Sequence, residues 1–142
     1  MLIAIGSDHA GFEAKQGLIP FLIELGHQVE DLGTCSTESV DYPDFGHAVG
    51  RAVADSKAER GIVICGTGLG ISMAANKIRG IRAAVCPTTD HAELSRKHNN
   101  ANVLAMGARL TPLAEMKKIT RVWLDTAFEG GRHINRVAKI EV

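Results

Sequence analysis

The sequence predicts a single-domain α/β sandwich in which helices cover both faces of a five-stranded parallel sheet. Three observations lead there. Five short apolar runs alternate with segments of helical period along the 142 residues, the pattern left by strands joined through helical crossovers. The run Ile62, Val63, Ile64 is β-branched and uninterrupted by polar residues, as in a strand buried on both faces. A hydrophobic content of 45% over this length supports one core and is too little chain for two ordinary domains.

Each element has its own reason. Leu2 to Ile5 reads as a strand, and Gly6, Ser7, Asp8 and His9 form a loop after it. Phe12 to Leu25 is a helix with apolar positions Phe12, Leu18, Ile19, Leu22 and Leu25; Pro20 is expected to kink it and Gly26 to cap it. Gln28 to Leu32 is a second strand closed by Gly33, and Thr34 to Pro43 is rich in turn formers without any period, hence a loop able to border a site. Phe45 to Ala54 is a helix with Phe45, Ala48, Val49, Ala52 and Val53 on one face. After the strand ending at Cys65 come a glycine turn and an Ala-rich helix with stop signals at Lys77, Arg79 and Gly80. Ala83 to Cys86 is a strand, Asp90 to His98 a polar helix and Val103 to Met106 a strand. Pro112 to Ala127 is an amphipathic helix, with Phe128 continuing its apolar set. The tail Arg132 to Val142 is a helical arm, too short and polar for an independent core element.

Ligands of such sheets sit at the carboxyl ends of the strands. That rule gathers Asp8 and His9, the stretch Cys65 to Gly70, and Gly107 to Arg109. The sequence G-T-G-L-G lacks both the Lys-Ser/Thr ending of a Walker loop and the spacing of the dinucleotide fingerprint. It still aims backbone N–H groups and a helix dipole at one spot, a ready anion site, with the Cys65 thiol at its edge. The bland alternative is a tight turn beside an inert buried cysteine.

Other groups are equally two-sided at this stage. Asp8 and His9 suit acid, base or orienting roles, or form a solvated loop pair. His98 with Asn99, Asn100 and Asn102 is a polar cluster that either serves a site or satisfies backbone through Asx-turns. Arg132 and Arg136, four apart, share a helix face and suit a phosphate clamp, unless they pair with Glu129 or Glu141. His133 falls on another face.

Several classes are excluded by composition. Lysine plus arginine equals aspartate plus glutamate at 16 each, which removes the global basic field expected for nucleic acid or anionic membrane partners. Three scattered cysteines without a C-x-x-C pair fit free thiols in a reducing compartment. The start M-L-I-A-I-G-S-D has no basic n-region and no apolar run reaches membrane length, so a cytoplasmic protein is expected. No glutamate or histidine cluster has metal-ligand spacing, so neither metal nor cofactor is expected.

Seven motifs carry a resemblance. S-D-H-A-G-F from Ser7, D-Y-P-D from Asp41, C-G-T-G-L-G-I-S from Cys65, A-A-N-K from Ala74, G-I-R-A from Gly80, S-R-x-H-N-N-A-N-V-L from Ser95 and G-G-R-H from Gly130 together resemble the ribose-5-phosphate isomerase B family. The resemblance runs nearly end to end. It implies a Rossmann-like three-layer fold and metal-free interconversion of ribose 5-phosphate and ribulose 5-phosphate, in the non-oxidative pentose phosphate pathway. It also implies a homodimer or dimer of dimers whose sites draw on two chains. By position in those motifs, Cys65 would move the proton between carbons 1 and 2, assisted by Thr67. Asp8 and His98 would open the furanose ring, and the backbone of Gly66, Gly68, Leu69 and Gly70 with Asn99 would stabilise the enediolate. His9, Arg109, Arg132 and Arg136 would bind phosphate, and Tyr42 would line the sugar pocket. Some relatives carry a glutamate after the glycines and lack the cysteine; this chain has Ile71 there and keeps Cys65. A hexose 6-phosphate, allose or galactose, is the alternative substrate, and a non-catalytic phosphate-binding module or a Cys65–His98 hydrolase are the rival readings.

Overall fold

The computed structural model covers residues 1–142, and all five strands pair in parallel, in the order β2-β1-β3-β5-β4. The strands are β1 (Leu2–Ser7), β2 (Gln28–Asp31), β3 (Arg60–Cys65), β4 (Ala83–Val85) and β5 (Val103–Gly107). The helices are α1 (Phe12–Glu24), α2 (Tyr42–Ala54), α3 (Leu69–Asn76), α4 (Thr89–Asn99), α5 (Leu113–Asp125) and α6 (His133–Ile140), with a 3-10 turn at His9–Gly11. None of the helices is long and apolar enough to cross a membrane.

Strand alternation sorts the core into two halves. Ile3, Ile5, Ile62, Ile64, Leu104 and Met106 face α1 and α5, where Leu18, Leu22, Met116, Ile119 and Trp123 meet them. Ala4, Val63, Val103 and Ala105 point the other way, against Val49, Ala52 and Val53 of α2 and Ile71 and Ala75 of α3. The small residues on this second face let α2 and α3 lie close to the sheet. Burying any one of the large aliphatic side chains contributes about 1.5–3 kcal/mol, so the two half-cores dominate the stability.

Boundaries moved where local chemistry outweighed periodicity. The loop after β2 ends at Asp41, because Pro43 sits in the first turn of α2, where a missing N–H costs nothing; Tyr42 is therefore helical. Helix α1 runs through Pro20 as one element and ends in a Schellman motif, with His27 N–H donating to Leu22 O (3.1 Å), Gly26 N–H donating to Ile23 O (2.9 Å) and Gly26 at φ +93°. Helix α5 stops at Asp125 and leaves Phe128 outside it. The chain from β3 goes out to the edge strand β4 and returns to place β5 inside, an exchange that no local pattern encodes.

Candidate active site

The sheet reverses its winding between β1 and β3, which lie side by side while β2 lies on the far side of β1. Their carboxyl ends therefore border an open crevice. Asp8 follows β1 and Cys65 ends β3, and the Asp8 N–H donates to Ile64 O at 3.3 Å, tying the two strand ends together. The Asp8 side chain is buried and accepts the Gly11 N–H at 3.1 Å, so the 3-10 turn holds the carboxylate in place. Beside it, the Val40 N–H donates to Nδ1 of His9 at 3.2 Å. In the neutral ring this leaves the hydrogen on Nε2, a donor edge for an anion.

Cys65 is 4% exposed, and its Sγ accepts the Gly68 N–H at 3.1 Å. That bond requires Gly68 to take φ +81°, a left-handed conformation open to glycine at little cost. The Leu69 N–H donates to Thr67 Oγ1 at 3.2 Å, which leaves the threonine hydroxyl hydrogen free. The N–H groups of Gly66, Thr67, Gly70 and Ile71 donate to no other atom of the chain. Two of them open α3, at the positive end of its dipole. The Tyr42 ring lies on this loop so closely that a Cβ at position 70 would come within 2.6 Å of it. The Arg109 guanidinium lies over Gly66, with its backbone N–H bonded to Gly66 O at 3.0 Å.

The remaining expected residues are elsewhere. A helix between parallel strands runs against them, so His98 and Asn99, at the carboxyl end of α4, stand at the amino end of the sheet, where Gly61 pairs with Val103. Four residue-to-residue steps lead from Gly61 to Cys65, roughly 13 Å of strand at about 3.3 Å each. A Cys65–His98 dyad thus does not form within one chain. Arg132 and Arg136 belong to this second end, because His133 between them stacks on His98 with ring centroids 4.4 Å apart. Neither arginine makes an ion pair. Glu141 is taken by Arg82 at 2.8 Å and by the Gly80 N–H at 3.2 Å, and Glu129 lies 4.0 Å from His133.

The polar cluster divides by role. Asn100 Oδ1 accepts from Arg96 at 2.9 Å, and Asn102 binds Arg82 N–H and Gly80 O at 2.8 and 2.9 Å. Asn99 alone is exposed and unbonded. The residue that organises this end was missed by pattern: Arg96 reads as surface on a polar helix, yet it is 5% exposed. Its guanidinium donates to Ala101 O at 2.6 Å and Thr126 O at 3.1 Å, and stacks over Trp123. Burial, with Arg60 and Arg82 nearby, lowers its pKa to about 10.

His98, Glu129 and His133 bring ligand atoms within 4.8 Å of one another, a grouping hidden in the sequence because their spacing is wide. The two rings are 16° from parallel. Their in-plane lone pairs therefore run side by side and do not converge on one ion. A cavity of about 550 Å³ is also at this end, bordered by Asn76, Arg79, Arg82, Asn99 and Glu141.

Known proteins share this arrangement from end to end. The model of the family described as Ribose/Galactose Isomerase matches residues 3–140. The chain is 50% identical to ribose-5-phosphate isomerase B of Escherichia coli, over 97% of this chain and 93% of that protein. It is 43% identical to a D-erythrulose-4-phosphate isomerase of Pectobacterium atrosepticum, over 97% and 91%. The solved structure of ribose-5-phosphate isomerase B from Clostridium thermocellum superposes with a TM-score of 0.98 at 54% identity, covering 99% of this chain and 95% of that one. On these grounds the chain belongs to the ribose/galactose isomerase family.

Proposed function

We propose that the protein interconverts ribose 5-phosphate and ribulose 5-phosphate, in two identical sites each built from two chains. The observation that carries this reading is the Cys65 sulfur fixed by Gly68 beside four amide N–H groups that have no partner in the chain. A sugar carbonyl oxygen seated on those amides would gain most when it becomes an enediolate oxygen. Cys65 takes the proton from carbon 2, the electron pair moves into the enediolate, and the thiol, whose proton can exchange with solvent, returns a proton to carbon 1, while Thr67 assists transfer between the two oxygens. Before that, the furanose must open. Asp8 accepts the hydrogen of the carbon 1 hydroxyl and His98 of the partner subunit gives a proton to the ring oxygen as its bond to carbon 1 breaks.

The partner subunit's Asn99 adds a donor to the enediolate. His9 and Arg109 from one chain, with the partner's Arg132 and Arg136, hold the phosphate at the far end, and Tyr42 walls the sugar. Homodimerisation is favoured by uncovered apolar side chains at both ends: Leu69 and Met73 on α3, 53% and 64% exposed, and Ile134 and Ile140 on α6, 60% and 49% exposed. The pathway is the non-oxidative pentose phosphate branch. We assign the protein to the cytoplasm, which suits its three free cysteines.

The sugar follows from fixed groups at both ends of the pocket, since displacing the reacting carbon by about 1 Å can cost about 10²-fold. Ribose 5-phosphate should therefore have a higher kcat/KM than D-erythrulose 4-phosphate, allose 6-phosphate or galactose 6-phosphate. Assays of all four under one condition, with and without EDTA, test the reading. Faster turnover of any other sugar displaces the pentose assignment, and loss of activity in chelator restored by a divalent ion displaces the metal-free chemistry.

A further inference from the structure

Under the His98 ring lies a second imidazole to which the reaction above gives no role. His133 is 5% exposed, its Nε2 has no hydrogen-bond partner, and its ring is stacked on His98. A buried histidine normally earns its place through a hydrogen bond. This one offers its neighbour only a ring face.

Two imidazolium ions stacked at 4.4 Å would repel strongly, so the pair carries one proton at most near neutral pH. Which ring carries it is decided by surroundings. Burial first, then the charges of His98, Arg132 and Arg136, lower the pKa of His133 below the ordinary histidine value, with only Glu129 opposing. The other charged group at this contact, Lys97 on α4, is paired with Glu93. His98 is half-buried and lies in the last turn of α4, at the negative end of that helix dipole. A protonated ring there rests on a neutral π face, an attractive arrangement.

We propose that His133 is a positioning residue for ring opening: its buried, neutral ring is the platform that orients His98 and keeps the pair's single proton on His98. That proton passes to the sugar ring oxygen as the bond from that oxygen to carbon 1 breaks and Asp8 takes the hydroxyl hydrogen. Closure of the ring returns it. The inference rests on the assignment of His98 to ring opening.

Two variants separate platform from filler. His133→Phe keeps a ring face and loses no hydrogen bond, since Nε2 makes none; His133→Leu keeps apolar bulk without a ring. The first measurement is an NMR titration of the His98 ring without substrate. The midpoint should be retained in His133→Phe and fall in His133→Leu, and an unchanged midpoint in His133→Leu overturns the proposal whatever the substrate proves to be.

The second measurement divides the reaction. Ribulose 5-phosphate cannot close a furanose through its phosphorylated oxygen, so exchange of its carbon 1 hydrogen with solvent deuterium needs no ring opening. In His133→Leu, conversion of ribose 5-phosphate should fall about tenfold or more, the loss of a well-placed general acid, while carbon 1 exchange stays within about twofold. Because both rates come from one sample, a partly misfolded preparation lowers them together and leaves their ratio intact. A ratio equal to wild type overturns the proposal. Absence of exchange even in the wild-type enzyme would instead count against the Cys65 chemistry, a separate failure.

Discussion

Cys65 and His98 stand at opposite ends of the same sheet, the first closing β3 where it pairs with Gly107, the second closing α4 beside the strand starts. Each has a partner close in the chain: the Gly68 N–H donates to the sulfur, and the His133 ring stacks on the imidazole. The chemistry proposed for these two residues therefore calls for two copies of the chain.

Subunit mixing tests that relationship directly. Cys65→Ala and His98→Ala should each be inactive alone, but dissociating and reassociating equal amounts should restore activity. In a symmetric dimer half the molecules become mixed and each mixed molecule has one intact site, so recovery should reach about one quarter of wild type. No recovery, with exchange of subunits verified by mass, would rule out the shared site.

Arg96 should matter far from any substrate. Arg96→Met keeps an apolar stem but abandons the carbonyls of Ala101 and Thr126 and the cation over Trp123. Hydrogen bonds from a charged donor contribute about 1.5–3 kcal/mol each, so urea denaturation should show a loss of at least about 2 kcal/mol, together with reduced turnover because the His98 turn is loosened. A loss below about 0.5 kcal/mol, the scale of a surface change, would contradict this account.

The histidine stack should also show in the pH dependence of stability. Burial lowers the pKa of folded His133 below 6.5, so as the pH drops past 6.5 the unfolded chain binds that proton first. Stability is then lost between the unfolded and folded values and is unaffected above neutrality. Urea midpoints at pH 7.5 and at pH 5.5 should thus fall more in wild type than in His133→Phe. Equal falls would mean that this group does not link proton binding to folding.

The cysteines should differ sharply in reactivity. Burial raises the Cys86 thiol to about 11, and the group is 1% exposed, whereas Cys35 is on the surface. Alkylation of the native protein at about pH 8, where such a thiol is almost wholly protonated, should modify Cys35 and spare Cys86 until denaturant is added. Early labelling at Cys86, found by peptide mass mapping, would contradict its burial.

The strands and the glycine turn were legible because their signals are local. Ile62 to Ile64 has to be buried on both faces wherever the strand lies, and Gly68 has to turn. Strand order was not legible, since periodicity gives the faces of an element and says nothing of its neighbour. The same limit separated His98 from Cys65: adjacency of motifs in a family pattern carries no information about which end of a sheet each one occupies. The helical state of Tyr42 was hidden by turn formers that double as a helix start. Arg96 escaped because a charged residue in a polar helix gives no sign that carbonyls from two other segments await it, and His133 because its partner is a ring rather than a hydrogen bond.

Helix α6 is held at its two ends, by the buried His133 at its first residue and by Glu141 just beyond its last, where the carboxylate bridges Gly80 and Arg82. Between these points it buries no other side chain. An element fastened so sparsely opens locally well below the free energy of global unfolding. Before a second copy covers Ile134 and Ile140, its amides should therefore exchange with solvent long before those of β3, and a phosphate ester at Arg132 and Arg136, where we propose it binds, should slow that exchange selectively. The anion would thus tighten the very segment proposed to hold it.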